Sequence, residues 1–358
     1  MSQGDTTGRR RFLQACGGIA AVGVTGLAGC TGNSNSGSDE TTTAGTQSGD
    51  GTQQTQQTEQ PLSTVVHGAV EGGTTGVLVE VMKEQGYDNE YGINVQPEFF
   101  TSPPQVQQQI VLSQDIPTGF MGSIVATRLN ASGHNPKLVG PYMLYHMYVL
   151  TRSDSDINEP ADLAGSRVSW ASRQADAWLK FNVILEMDTG VQPDELEFVQ
   201  TAPPASIDLL RQGELDAILL NEPLVTKALA ENDFEVVFNP RQVWEESENL
   251  PLTTVDLAWD GNWSADNQES AVALAQASRD TQAYIEGNIE STIDTYTDAF
   301  GLENEAQISL AKERLTQIYP SEWDEQGFLD AGYNMAQRAN EIGLIEEEPS
   351  EDIFSWVL

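Results

Sequence analysis

Short β-like runs alternate with helix-like segments through most of this chain, and no other feature of the sequence restricts its fold as strongly. In the first unit the β-like runs lie at residues 64–70, 93–99, 116–121 and 137–142, and a helix-like segment follows each of the first three. This alternation favours a mainly parallel sheet with crossover helices. The sequence therefore predicts an α/β fold.

A second unit of the same style follows an extended, aromatic stretch at residues 142–151. Residues 253–259 then predict a strand that returns the chain to the first unit. The second unit is inserted in the first, and two chain crossings join them. This arrangement predicts two hinged lobes. Ligands of open parallel sheets bind beyond the carboxyl ends of the strands, so a cleft between the lobes would close on its ligand. The β-like runs of the second unit are residues 167–170, 196–200, 217–220 and 234–238.

The first thirty residues have the layout of an export signal. Arg9 and Arg10 precede a mildly apolar run at residues 15–28, which is too short for a hydrocarbon core that needs about 20 residues. The paired arginines resemble a twin-arginine signal, although the general secretory route remains an alternative. The run ends on Leu-Ala-Gly before Cys30, which resembles the lipobox of secreted lipoproteins. We therefore predict lipidation at Cys30 and a location on the extracytoplasmic face of the cell membrane.

The composition of the rest of the chain separates a polar tether from the folded lobes. Residues 31–60 hold no apolar residue larger than alanine, so they predict a flexible tether. Removal of the signal would also remove Cys16, and no cysteine would remain for a disulfide. The predicted boundaries are a signal at 1–29, a lipidated cysteine and tether at 30–61, a first lobe at 62–150 plus 253–358, and a second lobe at 151–252.

The charge balance is strongly acidic. The chain has 54 Asp and Glu against 17 Lys and Arg, a formal net charge of −37. Acid richness with few lysines resembles proteins of extreme halophiles. The lack of a basic stripe argues against a nucleic-acid partner, because nothing would replace the counterions of the phosphates. No Asp-x-Asp-x-Asp-Gly loop or other metal motif is present, so the sequence predicts neither a metal nor a cofactor.

Seven motifs lie in order along residues 62–345: VHGAVEGG at 66–73, YGINV at 91–95, IPTGFMGS at 116–123, EPADLAGSRV at 159–168, RQGELDA at 211–217, NEP at 221–223 and NEIGLI at 340–345. They resemble the nitrate/sulfonate/taurine and thiamine-pyrimidine-precursor group of ABC-importer binding proteins. The resemblance implies a two-lobed type II periplasmic-binding fold, with a mainly parallel sheet flanked by helices in each lobe and two hinge crossings. It also implies a monomer that captures a small polar solute and delivers it to an ABC permease.

The predicted ligand site consists of four loops that follow strands. Glycines admit backbone N–H groups to a ligand, hydroxyls donate or accept hydrogen bonds, and helix N-termini favour anions. Arg173 could clamp an anion or pair with Asp176, three residues further on. Glu222 could reach the ligand, reach the opposite lobe, or be an ordinary acid of a first helical turn. The residues are Glu71, Gly72, Gly73, Thr74 and Thr75 in loop one, Met121, Gly122 and Ser123 in loop two, Trp170, Ser172, Arg173 and Gln174 in loop three, and Asn221 and Glu222 in loop four.

Two ligand classes remain open at this stage. Arg173 and the helix N-termini suit a sulfonate or nitrate, whereas Glu71 and Glu222 suit an amine-bearing ligand such as an aminopyrimidine or a taurine-type zwitterion. An enzyme on the same scaffold and a structural surface lipoprotein are the alternatives to a binding protein. The sequence has three histidines and no common hydrolase, zincin or P-loop motif, so a binding protein is favoured.

Overall fold

The computed structural model describes residues 63–113 and 115–358. The predictions for the export signal, Cys30 and the tether lie outside the described residues. Among the helices of this part of the chain, none has the length and apolarity that a membrane crossing requires.

The described residues form two sheets of five strands each. The first sheet has the order β2-β1-β3-β10-β4, and the second has the order β7-β6-β8-β5-β9. The strands are β1 (Ser63–Val70), β2 (Ile93–Phe100), β3 (Thr118–Met121), β4 (Pro136–Leu144), β5 (Met147–Arg152), β6 (Arg167–Trp170), β7 (Glu197–Gln200), β8 (Ala217–Asn221), β9 (Phe234–Phe238) and β10 (Thr253–Asp260).

Each sheet is mixed, and the antiparallel strand is the one that enters from the other lobe. β5 is antiparallel to β8 and β9, and β10 is antiparallel to β3 and β4, whereas β1 pairs in parallel with β2 and β3. The other strands point their carboxyl ends at the facing lobe, so a strand that starts from that lobe must run the opposite way. The predicted two-lobed α/β fold and the return of the chain on residues 253–259 are confirmed.

Helices cover the faces of both sheets. Long helices occupy the predicted positions after β1, β3 and β6, while the acidic C-terminal part is mostly helical. They are α1 (Gly73–Gln85), α2 (Tyr87–Glu90), α3 (Pro103–Leu112), α4 (Ser123–Ala131), α5 (Asp176–Thr189), α6 (Pro203–Arg211), α7 (Leu224–Leu229), α8 (Pro240–Glu248), α9 (Gly261–Asp266), α10 (Gln268–Gly287), α11 (Ile289–Thr295), α12 (Glu305–Arg314) and α13 (Glu325–Glu341).

The two crossings lie side by side and are bonded to each other. The Tyr145 amide donates to the Leu252 carbonyl at 2.7 Å, and His146 Nδ1 lies 3.1 Å from the Thr254 hydroxyl. β5 begins at Met147, so residues 147–150, which were predicted for the first lobe, pair within the second sheet instead. The first crossing is therefore shorter than the sequence indicated, because the aromatic stretch is already part of that sheet.

The C-terminal helix α13 packs on both lobes. Met335 and Ala339 of α13 belong to the hydrophobic core of the second lobe, together with Ile124 of α4. Phe328 of the same helix belongs to the core of the first lobe. Residues 325–341 were predicted for the first lobe alone, and the structure shows a helix shared between the two.

His67 is a buried polar residue of the first core. Its Nδ1 lies 3.1 Å from the Thr118 hydroxyl, and its Nε2 lies 3.1 Å from the Tyr142 hydroxyl. Burial disfavours the charged imidazolium and lowers the pKa of His67 to about 4. Burial lowers the pKa of His146, on the first crossing, to about 4 as well.

Replacement of His67 should weaken the response of the protein to acid. Its pKa is lower in the fold than in the unfolded chain, so the stability it contributes is present above about pH 6.5 and is lost as the pH falls toward 4. Between pH 7.5 and 4.5, we expect His67→Gln to lose about 2–3 kcal/mol less free energy of unfolding than the unsubstituted protein. Urea unfolding at both pH values measures the difference.

His134→Gln, at a half-exposed position, provides the control and should lose as much stability as the unsubstituted protein. An equal loss in His67→Gln would show that His67 does not carry this acid sensitivity.

Candidate functional site

The helices that follow loops two and three are in direct contact through Asp176. The Oδ1 atom of Asp176, the first residue of α5, accepts hydrogen bonds from the backbone amides of Ile124 at 2.9 Å and Val125 at 3.1 Å. A carboxylate of the second lobe therefore caps α4 of the first lobe, a position where negative charge is favourable. A Cβ atom on Gly122 would lie 2.0 Å from Cγ of Asp176, so this approach requires glycine in loop two.

Lys180 neutralises the capping carboxylate. Its Nζ lies 2.8 Å from Oδ2 of Asp176, and the two side chains are only 1% and 3% exposed. The same ammonium donates to the carbonyl oxygens of Thr253 at 2.8 Å and Thr254 at 3.3 Å. Lys180 thus connects the contact between the loops to the start of β10, where the chain returns to the first lobe.

Arg173 does not pair with Asp176. Its guanidinium carbon lies 4.6 Å from the centre of the Phe198 ring, and the residue is exposed. Its neighbour Gln174 accepts a hydrogen bond from Arg128 of α4, which is a second contact between the lobes. Ser172 accepts from the Gln174 amide at 3.1 Å, while Trp170 is buried. The anion clamp remains a prediction, and the alternative pair with Asp176 is wrong because that carboxylate caps α4.

Glu222 of loop four reaches the opposite lobe. Its Oε1 accepts from Nε of Arg314 at 2.7 Å, and its Oε2 accepts from the Thr226 amide at 3.0 Å and the Thr226 hydroxyl at 2.7 Å. Arg314 ends α12 and also lies over the ring of Tyr148, at 4.8 Å from its centre. Asn221 donates to the Glu222 carbonyl at 2.9 Å. Glu222 is 1% exposed, so this is a largely buried ion pair between lobes.

Loop one packs against the C-terminal part of the chain. The Gly73 amide donates to the Ala299 carbonyl at 2.8 Å, and Tyr319 donates to the Thr74 carbonyl at 2.9 Å. Gly72 and Gly73 have φ values of 68° and 62°, in the left-handed region that favours glycine. Glu71 is exposed, and Thr75 is half-buried in the first turn of α1.

Residues 314–319, which run from the end of α12 into the following loop, contact both loop four and loop one. Arg314 contacts Glu222, and Tyr319, five residues later, contacts Thr74. Sequence reasoning missed Asp176, Ala299, Arg314 and Tyr319 as residues of the loop contacts. The available signal was Arg314 itself, one of the few cations in a strongly acidic region.

Large cavities in the described residues lie away from these loops. One of about 640 Å³ is lined by residues of α13 and the C-terminal end, such as Tyr333 and Phe354. Another, of about 410 Å³, lies between the end of α3 and α9, beside Leu112 and Trp263. Neither is lined by a predicted ligand-binding residue. The facing loops and the helices that follow them make direct protein contacts, such as Asp176 with the first amides of α4.

Several buried polar atoms at the meeting of the lobes have no hydrogen-bond partner among the described residues. They include Ser123 Oγ in loop two, Trp170 Nε1 in loop three, Arg314 Nη2 beside loop four, and both carboxylate oxygens of Asp256 on β10. Most buried polar groups in native proteins are hydrogen-bonded, so a concentration of unpaired ones requires an explanation. A polar ligand held between the lobes is one such explanation.

Asp256 is the most unusual of these groups. It is 1% exposed and pairs in the sheet with Met121 of loop two. Burial raises the pKa of Asp256 to about 7, while the nearby Lys180 ammonium and Thr253 hydroxyl lower it and the Asp176 carboxylate raises it further.

Comparisons with known proteins agree with this fold. The chain resembles solved two-lobed binding proteins of ABC transporters, which defines its fold class. The profile of the NMT1-like family matches residues 74–295, and the chain belongs to that family. No curated protein matches the chain in sequence.

Three solved structures illustrate the similarity of fold. The aliphatic sulphonate binding protein SsuA of Escherichia coli is 16% identical, with a TM-score of 0.65 over 81% of this chain and 90% of that chain. The nitrate-binding protein NrtA of Synechocystis PCC 6803 is 13% identical, with a TM-score of 0.62 over 79% and 82%. A protein of Bordetella bronchiseptica RB50 is 16% identical, with a TM-score of 0.66 over 83% and 95%.

The Glu222–Arg314 pair should couple the lobes energetically, whereas a nearby exposed pair should not. In a double-mutant cycle with Glu222→Gln and Arg314→Gln, we expect a coupling free energy of about 1–3 kcal/mol, because one carboxylate of the pair is desolvated. Thermal or urea unfolding of the four proteins measures it. Lys227–Glu303 joins the same two regions at 2.8 Å, but Glu303 is 72% exposed.

The matched cycle with Lys227→Gln and Glu303→Gln should therefore give a coupling near zero. Equal coupling in the two cycles would contradict a special role for the buried pair.

Proposed function

We propose that this protein is the solute-binding component of an ABC importer. Supporting observations are the two hinged lobes and the contacts between loops two, three and four and the opposite lobe. The single observation that carries the proposal is the set of buried, unpaired polar atoms where the lobes meet. A two-lobed protein that closes over a solute needs such groups, since each must exchange water for ligand.

The proposed ligand site consists of the four loops. In loop one, Gly72 and Gly73 bring the backbone close to the ligand, and Thr74 and Thr75 add hydroxyls. In loops two and three, Ser123 and Trp170 supply unpaired polar atoms. The solute is small and polar, of the sulfonate or nitrate type or of the pyrimidine-precursor type.

The proposed role is binding and not catalysis. His67 and His146 are buried and engaged with hydroxyl or carbonyl groups, and burial lowers the pKa of both to about 4. At neutral pH both imidazoles are in their neutral form, so neither suits general acid catalysis.

A screen for stabilisation by ligands tests the proposal. A solute that binds only the folded protein raises its stability by RT ln(1 + [L]/Kd), about 2.7 kcal/mol at a hundredfold excess over Kd. We expect at least one sulfonate, nitrate, amino acid or pyrimidine to raise the melting temperature in concentrated salt. Native mass spectrometry of the purified protein should detect a bound small molecule. Absence of both a stabilising compound and a co-purified molecule would refute a solute receptor.

We further propose that the protein is a monomeric, exported lipoprotein with a halophilic surface. Arg9 and Arg10 would direct export, Cys30 would carry the lipid, and residues 30–61 would tether the lobes beside the permease. Residues 62–146 and 253–358 would form the first lobe, and the second lobe would lie between them.

Replacement of the proposed lipid-bearing residue tests the anchor. Cys30→Ser should move the protein from the membrane fraction to the medium, because no lipid can then be attached. Cell fractionation and immunoblotting measure the change, with Cys16→Ser as the matched cysteine control. Cys30→Ser protein that stays in the membrane fraction would contradict lipid anchoring at this residue.

A further inference from the structure

The two faces of the second sheet are covered by separate hydrophobic cores. Side chains of a strand alternate between faces, and along β8 Leu219 belongs to one core while the adjacent Leu220 belongs to the other. The core around Leu219 includes α5 and part of α13, whereas the core around Leu220 includes Val225 of α7. α5 and α7 therefore lie on opposite faces of this sheet.

On the α5 face, apolar side chains join the lobes. Ile124 of α4 and Met335 and Ala339 of α13 are at most 1% exposed and belong to the core of the second lobe. Asp176 caps α4 in the same region, and Lys180 neutralises the capping carboxylate. Separation of the lobes on this face would expose apolar surface to water and leave the first amides of α4 without their cap, and both changes are unfavourable.

On the α7 face, charged side chains join the lobes. Arg314 at the end of α12 binds Glu222 at 2.7 Å, and Lys227 of α7 binds Glu303 at 2.8 Å. No hydrophobic core of the described residues includes both helices, because the apolar residues of α7 belong to the second lobe and Ala311 of α12 belongs to the first. Water solvates a charged group that leaves its partner, so separation on this face is less costly than on the α5 face.

Both lobes are acidic, so the α7 face requires cations to hold it closed. Residues 147–252 have 20 Asp and Glu against 7 Lys and Arg, and residues 63–146 and 253–358 have 29 against 7. Like charges repel, and Arg314 and Lys227 each place a cation between the lobes. Glu222 is 1% exposed and Glu303 is 72% exposed. The Glu222–Arg314 pair is therefore screened less and holds this face more strongly.

We propose that the two lobes form a one-sided clasp. The contact among α4, α5 and α13 is a fixed joint, and the lobes open when α7 moves away from α12 and the Glu222–Arg314 pair breaks. The axis of this movement passes through the joint and the two chain crossings, which are bonded to each other. A solute then enters and leaves on the α7 side. The inference rests on the proposed function only for the reason that the lobes move, and it does not depend on the identity of the solute.

Distances between spin labels on the α7 face provide the first part of the test. Every variant carries Cys16→Ser and Cys30→Ser, so that only introduced cysteines are labelled. Ala205→Cys on α6 and Ser309→Cys on α12 place labels at exposed positions of the two lobes, and α6 shares the core of α7. Double electron–electron resonance of the ligand-free protein in concentrated salt measures the populations of short and long distances.

The second part of the test examines the joint, with α13 as the reference. Gln337→Cys on α13 is combined with Ala131→Cys on α4 in one protein and with Asp188→Cys on α5 in another, all at exposed positions. Opening on the α5 face must separate α13 from α4 or from α5. A fixed joint therefore predicts that neither distance changes.

Removal of one charge of the latch should open the clasp. Glu222→Gln should raise the ratio of long to short distances between residues 205 and 309 at least about fivefold, the factor that corresponds to a weak coupling between sites. Arg314→Gln, a second variant that removes the other partner, should produce a similar change. Lys227→Gln is the matched control and should change the ratio less than about twofold, because its partner Glu303 is exposed. Both distances to residue 337 should stay the same in every variant.

The outcomes separate the clasp from the proposed function. Lengthening of either distance to residue 337 would show that the joint opens and would overturn the inference. An unchanged distance between residues 205 and 309 in both Glu222→Gln and Arg314→Gln would also overturn it. Neither result bears on solute binding, which the ligand screen and native mass spectrometry decide. If those two measurements find no solute but the latch variants open the α7 face, the receptor function fails and the clasp stands.

Discussion

The contact between the Asp176 carboxylate and the first amides of α4 is the interaction on which the closed arrangement depends. It requires three features from distant parts of the chain. Gly122 leaves the space, Lys180 balances the charge, and the crossing strand β10 offers carbonyls that hold the ammonium. Because the amides and the carboxylate belong to different lobes, the contact exists only when the lobes are together. The capping of α4 by Asp176 therefore also links the two lobes.

The C-terminal helices strengthen this link from outside the sheets. Arg314 binds Glu222 of the second lobe, while Tyr319, a few residues later, binds the backbone of loop one. α13 contributes to both hydrophobic cores. The acidic C-terminal region is thus more than a cover for the first sheet, since Arg314 and α13 also contact the second lobe.

Dissolved salt would screen the exposed and the buried charged contacts to different extents. At about 1 M salt the Debye length is only about 3 Å, so exposed pairs such as Lys227–Glu303 contribute little. Asp176–Lys180 is buried and is screened much less. Stability in concentrated salt would then rest on the cores and on the few buried charged contacts. Asp256 stands out against this background, because its carboxylate is buried and only partly compensated by Lys180 and Thr253.

The sequence by itself determined the order of strands and helices, the insertion of one lobe in the other and the positions of the four loops. These features follow from local apolar periodicity and turn residues, which a short window of sequence contains. Only the tertiary structure decided that Asp176 caps α4, that Glu222 pairs with Arg314 and that Asp256 is buried near Lys180 and Asp176. Those contacts join residues 52 and 92 positions apart, and the burial of Asp256 arises because β10 inserts between β3 and β4. Hydrophobic periodicity carries no information about which distant side chain will fill a given space, so the partners of these charges appear only when the two sheets face each other.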